Sequence, residues 1–168
     1  MRAPHLAWHL SGGTTELLLV SPDGKNVRAD KLGGTSDISA GQLIDRTGKL
    51  LGLSCESPCK ERYRVKLNGL DFSFSGIQNK TEKFFSETKN AADTAKFVMN
   101  CIVNCIADAT RAALAQYPGL PVVFSGGVAS NSMLRERMRE FAPVFAEPLF
   151  STDNAMGIAV LAALQEDA

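Results

Sequence analysis

Two short glycine-rich segments contain the residue types best suited to holding a charged ligand. They are residues 11–15 (SGGTT) and residues 125–131 (SGGVASN), and each follows an apolar run. Glycine lets the backbone approach a ligand closely with its N–H groups pointing outward, and a helix that begins just after such a turn attracts anions. Either segment alone is also typical of an ordinary tight turn. Two of them at strand ends in one chain favour a phosphate-binding site.

Four aspartates are candidates for contacting magnesium or the hydroxyls of a ribose, because both prefer oxygen partners. They are Asp37, Asp45, Asp71 and Asp153. Asp153 has the strongest claim, since residues 151–154 (STDN) lie between a predicted strand and a predicted helix. Residues of these types are also ordinary helix caps, so both interpretations stay open.

His5 and His9 form an HxxxH pair, which can bind one metal ion when a helix places both rings on one face. Here the pair lies in a predicted strand, where the two side chains would be about 13 Å apart. A shared metal ion is therefore not expected.

The apolar runs around the first glycine segment predict a β-hairpin over residues 6–20. Residues 21–24 (SPDG) are typical of a turn, and residues 26–32 predict a third strand that ends at residues 33–34 (GG). The chain is therefore expected to begin with a three-stranded antiparallel meander.

Helical periodicity follows the meander. Residues 39–53 predict an amphipathic helix that Ser39 caps and Gly52 ends, and residues 91–116 have the strongest helical pattern in the chain. The remaining predicted elements are an exposed loop over 54–68 with a short strand at 63–67, a surface helix ending at 87, a strand buried on both faces at 120–124, a helix at 131–141, a strand at 144–145 and a helix at 153–164. This order is typical of the α/β class.

Length and composition are those of one globular domain, residues 1–168, with 45% apolar residues. No apolar run reaches the roughly 20 residues that span a bilayer, and the first residues lack the layout of a secretory signal. The chain is therefore expected to be soluble and cytoplasmic, without a membrane partner. The 18 basic and 18 acidic residues balance, so any binding to RNA needs charge from elsewhere.

Five segments, in order, resemble motifs of one known family. They are residues 9–17, 40–53, 70–76, 126–131 and 152–156. The family is that of the threonylcarbamoyladenosine synthases (TsaD), long described as glycoproteases or O-sialoglycoprotein endopeptidases. The resemblance implies an actin-like (ASKHA) ATPase fold on a ribonuclease-H-like core, with ATP or a threonylcarbamoyl-adenylate between two lobes. The chain is similar to the C-terminal lobe, a mixed sheet flanked by helices, and the N-terminal lobe is expected to be absent from it.

The resemblance implies roles for nine residues. They are Leu10, Ser11, Gly12 and Gly13 for a phosphate or the carbamoyl group, Asp45 for the ribose, Gly126, Gly127 and Asn131 for the adenosine, and Asp153 for an iron or zinc ion. That metal ion also needs an HxxxH pair from a helix of the first lobe, and His5 with His9 is not the equivalent of that pair.

Three departures from the family pattern indicate a divergent member. Residues 54–59 replace a Pro-Gly-Gly segment, Gln42 stands where Glu is common, and Asp37-Ile38 stands where Asp-Asp is common. The first departure affects an expected substrate contact.

For a complete family member, the resemblance implies transfer of a threonylcarbamoyl group to the exocyclic amine of a tRNA adenosine, with the metal ion as Lewis acid. This chain by itself is expected to bind the adenine nucleotide and to be inactive. The alternative is an inactive scaffold lobe that forms a homodimer, or a hetero-oligomer with a family homologue, since an uncovered sheet edge favours association.

A sugar or carboxylate kinase shares the fold, but its acceptor signature is not visible. The P-loop signature is absent too, and the protease name has no nucleophile and base in this chain.

Overall fold

The computed structural model describes residues 3–52, 63–151 and 155–166. Its strands are β1 (His5–Leu10), β2 (Thr15–Asp23), β3 (Asn26–Thr35), β4 (Asp71–Phe72), β5 (Val122–Ser125) and β6 (Val144–Phe145). Its helices are α1 (Ala40–Leu51), α2 (Ser75–Thr88), α3 (Ala91–Gln116), α4 (Ser132–Met138), α5 (Pro148–Ser151) and α6 (Ala155–Glu166), and 3₁₀ turns lie at Gly127–Ser130 and Arg139–Phe141.

The strands form one mixed sheet in the order β4-β3-β2-β1-β5-β6. Strands β1, β2 and β3 are an antiparallel meander, β5 runs parallel to β1, and β6 runs parallel to β5. This arrangement confirms the predicted α/β class and the predicted meander. It also places the carboxyl ends of β1, β5 and β6 at one edge of the sheet.

Two predicted boundaries in the meander are wrong. Strand β2 continues to Asp23, and β3 continues through Gly33 and Gly34 to Thr35. A Cβ added at Gly33 would lie 2.5 Å from the carbonyl oxygen of Leu70, and one added at Gly34 would lie 2.3 Å from that of Thr15. These two glycines let neighbouring backbones approach the strand closely, and they do not end it.

Other differences concern short elements. Residues 63–67 form no strand, and β5 is buried on one face only, since Val122 and Phe124 are buried but Val123 and Ser125 are half-buried. The helix predicted over residues 131–141 is α4 followed by a 3₁₀ turn. The last helix begins at Ala155 among the described residues, and most of the loop predicted over residues 54–68 lies outside them.

Helix α3 forms the centre of the core and has the predicted bounds. It packs against the sheet face that carries Trp8, whose Nε1 donates a hydrogen bond to Thr110 Oγ1 at 2.9 Å with both residues fully buried. By length and composition α3 could cross a membrane, but 67% of its most apolar window is buried, as in the core helix of a globular fold. Burial raises the pKa of Cys105 in this helix, which keeps the thiol protonated.

Large apolar side chains are exposed towards the end of the chain. Leu149 is 76% exposed, and Ile158 and Val160 in α6 are 60% and 52% exposed. Helix α6 therefore presents apolar surface that the described part of the fold does not cover.

Asp37 joins the loop before α1 to the start of α2. Its carboxylate accepts backbone N–H bonds from Ile38 at 2.7 Å, Phe74 at 2.9 Å and Ser75 at 3.2 Å, and a short bond from Ser73 Oγ. Partial burial raises the pKa of Asp37, but these hydrogen bonds outweigh that effect and hold the pKa well below its ordinary value of 3.8. The carboxylate therefore caps α2 from outside the helix, with its charge at the positive end of the helix dipole.

Asp37→Asn should lower the free energy of unfolding at pH 7, because the amide cannot replace a charged acceptor of several donors. The folded pKa is depressed, so the stabilisation is complete above the ordinary pKa near 4 and is lost as pH falls below it. The difference in urea unfolding between the parent and the variant should therefore shrink progressively as pH falls from about 4 towards the depressed pKa of the folded state. Asp23→Asn, at an exposed acid at the end of β2, is the control. A difference that does not vary with pH would contradict the prediction.

Candidate nucleotide site

The two glycine-rich segments leave the same edge of the sheet. His9 and Ser125 are register partners in the parallel pair β1–β5, so each segment begins beside the other. Gly126 has φ of 92°, and a Cβ added there would lie 2.2 Å from the carbonyl oxygen of Leu10. The second segment therefore packs its backbone directly onto the end of β1.

The first turn of α1 packs onto the first glycine segment. A Cβ added at Gly41 would lie 2.6 Å from both the α carbon of Gly12 and the carbonyl oxygen of Ser11. Ser39 Oγ donates to the carbonyl oxygen of Gly12 at 2.6 Å, and the N–H of Ala40 donates to Thr15 Oγ1 at 2.8 Å. The turn and the helix N-terminus are therefore held as one unit.

Sequence reasoning did not identify Gly41 as a site residue. Two signals were present: Gly41 lies in the segment 40–53 that resembles a family motif, and it is a glycine in the first turn of a helix, where glycine costs about 1 kcal/mol relative to alanine.

The N-terminus of α1 is well capped and carries no acidic residue in its first turn. Ser39 Oγ accepts the N–H of Gln42 at 3.1 Å, and Gln42 Oε1 accepts the N–H of Ser39 at 3.2 Å, which is a capping box. Gln42 thus performs the capping that a Glu would perform, without adding a negative charge. The positive end of the α1 dipole consequently faces the Gly12 turn with no acidic residue in the first turn of the helix.

Gly12, Gly13 and Gly127 are exposed, and a Cβ added at any of them would meet nothing within 4 Å. None of the three has a positive φ. Among the described residues, the hydrogen bonds of the first turn use the N–H groups of Ser11 and Thr14 and leave those of Gly12 and Gly13 without an acceptor. Neither packing nor backbone conformation requires glycine at these three positions, so the open space above them fits a ligand that approaches the backbone.

Two of the other sequence-derived candidates lie on the elements that flank this open space. Asp45 is exposed on α1 one turn after Gly41, on the same helix face. Asn131 follows the 3₁₀ turn and caps α4, because its Oδ1 accepts the N–H of Leu134 at 3.1 Å. Asp37 uses its oxygens within the protein, as described above. Asp153 lies outside the described residues.

The part of the chain that the structure describes does not form a metal centre by itself. Within residues 3–52, 63–151 and 155–166, no three His, Cys, Asp or Glu side chains lie close enough to hold one ion. His5 and His9 lie on β1 and have different partners, the carbonyl oxygen of Ala3 at 2.9 Å and Ser125 Oγ at 3.4 Å. The described residues therefore do not fit a resident metal ion.

The comparisons with known proteins agree on one family. Residues 2–160 match the family "TsaD: tRNA N6-adenosine threonylcarbamoyltransferase". The chain is 34% identical to the tRNA N6-adenosine threonylcarbamoyltransferase of Kosmotoga olearia over 95% of the chain and 54% of that relative. It is 32% identical to the protein of the same name from Granulibacter bethesdensis over 93% of the chain and 50% of that relative. The chain thus spans about half the length of the curated relatives it matches.

Gly41→Ala should destabilise the fold by about 1 to 3 kcal/mol, because the new methyl group must push α1 away from the Gly12 backbone. Gly48→Ala is the matched control, since an added Cβ on that turn of α1 meets nothing within 4 Å. It should stabilise the protein by up to about 1 kcal/mol through helix propensity. Urea unfolding of both variants tests this difference. Equal stabilisation of both would show that α1 does not pack tightly on the turn.

Proposed function

Because the chain belongs to the TsaD family of tRNA N6-adenosine threonylcarbamoyltransferases, we propose that it is the nucleotide-binding, C-terminal lobe of a protein that transfers a threonylcarbamoyl group to a tRNA adenosine. The fold is the actin-like (ASKHA) fold of that family. The relatives are about twice as long as this chain. In this proposal the transfer also needs a second lobe, and the nucleotide-binding lobe alone does not catalyse it.

The observation that supports nucleotide binding is the group of open glycines at one edge of the sheet. The N–H groups of Gly12 and Gly13 bind the phosphate tail of ATP or of a threonylcarbamoyl-adenylate, the open space at Gly127 admits the adenosine, and the α1 dipole adds a positive field. The ligand contacts the backbone of Leu10 and Ser11. The close packing of Gly126 on Leu10 sets the distance between the two glycine-rich turns. These interactions need no basic side chain.

The remaining proposed contacts are with the ribose, the adenosine and a metal ion. Asp45 accepts hydrogen bonds from the ribose hydroxyls, and Asn131 contacts the adenosine. Asp153 supplies one ligand to an iron or zinc ion whose other ligands come from the first lobe. The role of Asp153 rests only on the resemblance of residues 152–156 to the family motif.

The acceptor tRNA is bound largely by other surfaces. The net charge of the chain is zero, so it has no overall field that would attract a phosphate backbone. A tRNA substrate accords with a cytoplasmic location, which is part of the same proposal.

Gly13→Ala and Gly127→Ala should each weaken ATP binding by at least about fivefold while leaving the thermal unfolding temperature unchanged, because the methyl group intrudes only where the ligand lies. Isothermal titration calorimetry with ATP measures the effect. Gly76→Ala is the control, since an added Cβ there is also unobstructed but lies on α2, away from the pocket.

Titration of the unsubstituted chain decides the broader proposal. Absence of ATP binding, both alone and with the remaining half of the Kosmotoga olearia relative supplied as a second polypeptide, would refute it. Binding that is unchanged in both glycine variants would place the nucleotide elsewhere.

A second candidate function is that of a scaffold lobe that pairs with another chain. The exposed apolar residues Leu149, Ile158 and Val160 favour it, because exposed apolar surface is available for association. In this function the lobe provides a binding surface for its partner and takes no part in catalysis.

Sedimentation velocity over a range of concentrations should then detect a homodimer, and Ile158→Ser should shift the chain towards monomer by removing apolar contact area. Val27→Ser removes a comparably exposed apolar side chain at the far end of the sheet and serves as the control. A chain that stays monomeric at every concentration would exclude the homodimer.

A further inference from the structure

Arg135 is the side chain that joins the second glycine-rich segment to the end of strand β6. It lies on α4, one turn after Asn131, and helical side chains lean towards the N-terminus of their helix. Its Nε donates to the carbonyl oxygen of Ala129 at 3.0 Å, and its Nη2 donates to the carbonyl oxygen of Ala146 at 3.3 Å. The guanidinium group therefore links two backbone segments that are distant in the chain.

A pair of stacked rings supports the guanidinium group of Arg135. Its central carbon lies 4.6 Å from the centre of the Phe145 ring, and this ring stacks on the fully buried Phe124 at 5.1 Å between ring centres. The N–H of Ala146 also donates to the carbonyl oxygen of Phe124 at 2.8 Å. Because Phe124 belongs to β5, Arg135 is held at the edge of the sheet from which the second glycine segment leaves.

The acidic side chains that follow Arg135 in the chain are engaged elsewhere. Glu136 pairs with Arg139 at 2.9 Å, and Glu140 pairs with two other arginines. None of the ion pairs among the described residues includes Arg135. The half-buried guanidinium group is therefore used on backbone carbonyls, which suits its planar set of donors.

The 3₁₀ turn Gly127–Ser130 has little support of its own. Two backbone bonds at its ends, of 3.0 and 3.1 Å, start from the N–H groups of Ala129 and Asn131. Hydrogen bonds in 3₁₀ turns have poorer geometry than those in an α-helix, and Gly126 adds backbone freedom just before the turn. The bond from Arg135 to the carbonyl oxygen of Ala129 therefore holds the turn from outside.

We propose that Arg135 is a positioning residue that holds residues 127–131 in the geometry that receives the adenosine. This inference rests on the proposed nucleotide site, in which Gly127 and Asn131 lie at the adenosine end. Lysine cannot replace this arginine, because only the rigid guanidinium fork has two donors that reach both carbonyls at once. The first glycine segment, at the phosphate end, is held by α1 and not by Arg135.

The first measurement is amide hydrogen exchange by NMR on the ligand-free whole chain, in the parent, in Arg135→Lys and in Arg139→Lys. Arg139→Lys is the matched control, because Arg139 lies just after α4 and takes part in an exposed ion pair. Arg135→Lys should speed exchange at the N–H groups of Ala129 and Asn131 by about tenfold. The N–H of Ala40, at the first glycine segment, should exchange as in the parent.

The second measurement is calorimetric titration of the same three proteins with ATP and with inorganic tripolyphosphate, which lacks the adenosine. Arg135→Lys should weaken ATP binding about three- to tenfold and leave tripolyphosphate binding unchanged. A general loss of stability would lower both affinities, so this selectivity separates positioning of the turn from a purely structural role. Thermal unfolding checks that all three proteins stay folded at the temperature of the titration.

Exchange rates and ATP affinities that are the same in Arg135→Lys and in the parent would overturn the inference and leave the nucleotide site intact. An equal fall in the affinities for ATP and tripolyphosphate would also overturn it, because the effect would then not be confined to the adenosine end. Absence of ATP binding in the parent would refute both the nucleotide site and the inference.

Discussion

The structure depends on two contacts in which main chain meets main chain with no side chain between them. Gly126 lies against Leu10, and Gly41 lies against the Ser11–Gly12 turn, each at a distance that a single methyl group would prevent. Because carbon atoms normally stay about 3.5 to 4 Å apart, these contacts tolerate no larger residue. They fix β5 beside β1 and the start of α1 above the turn without depending on side-chain rotamers. The positions of the N–H groups of Gly12 and Gly13 follow from these two contacts.

In the proposed nucleotide site, anions are attracted through the backbone alone. Amide groups and the end of a helix dipole supply the partial positive charge. Asp37 supports the arrangement from a distance, because it ties the loop before α1 to the start of α2. The Asp37 carboxylate therefore organises the fold.

Local signals in the sequence predicted the local features of the fold. The bounds of α3 and the capping of α1 by Ser39 and Gly52 follow from periodicity and cap chemistry, both of which are short-range. Glycines were harder to interpret, because a glycine required by packing has the same appearance in a sequence as one that ends a strand. Gly33 and Gly34 face backbones that are distant in the chain, and so does Gly41. For the same reason the sequence indicated which glycine segments suit a phosphate but not the packing of α1 on the first of them.

The central packing of the sheet on α3 includes the only tryptophan of the chain. Trp8 is shielded from water, is hydrogen-bonded to Thr110, and lies two residues before Leu10 on the strand that leads into the first glycine turn. Its ultraviolet fluorescence therefore arises from a single ring at a known place. The emission wavelength of Trp8 and the quenching of its fluorescence by solutes therefore report, without a label, whether β1 stays packed on α3.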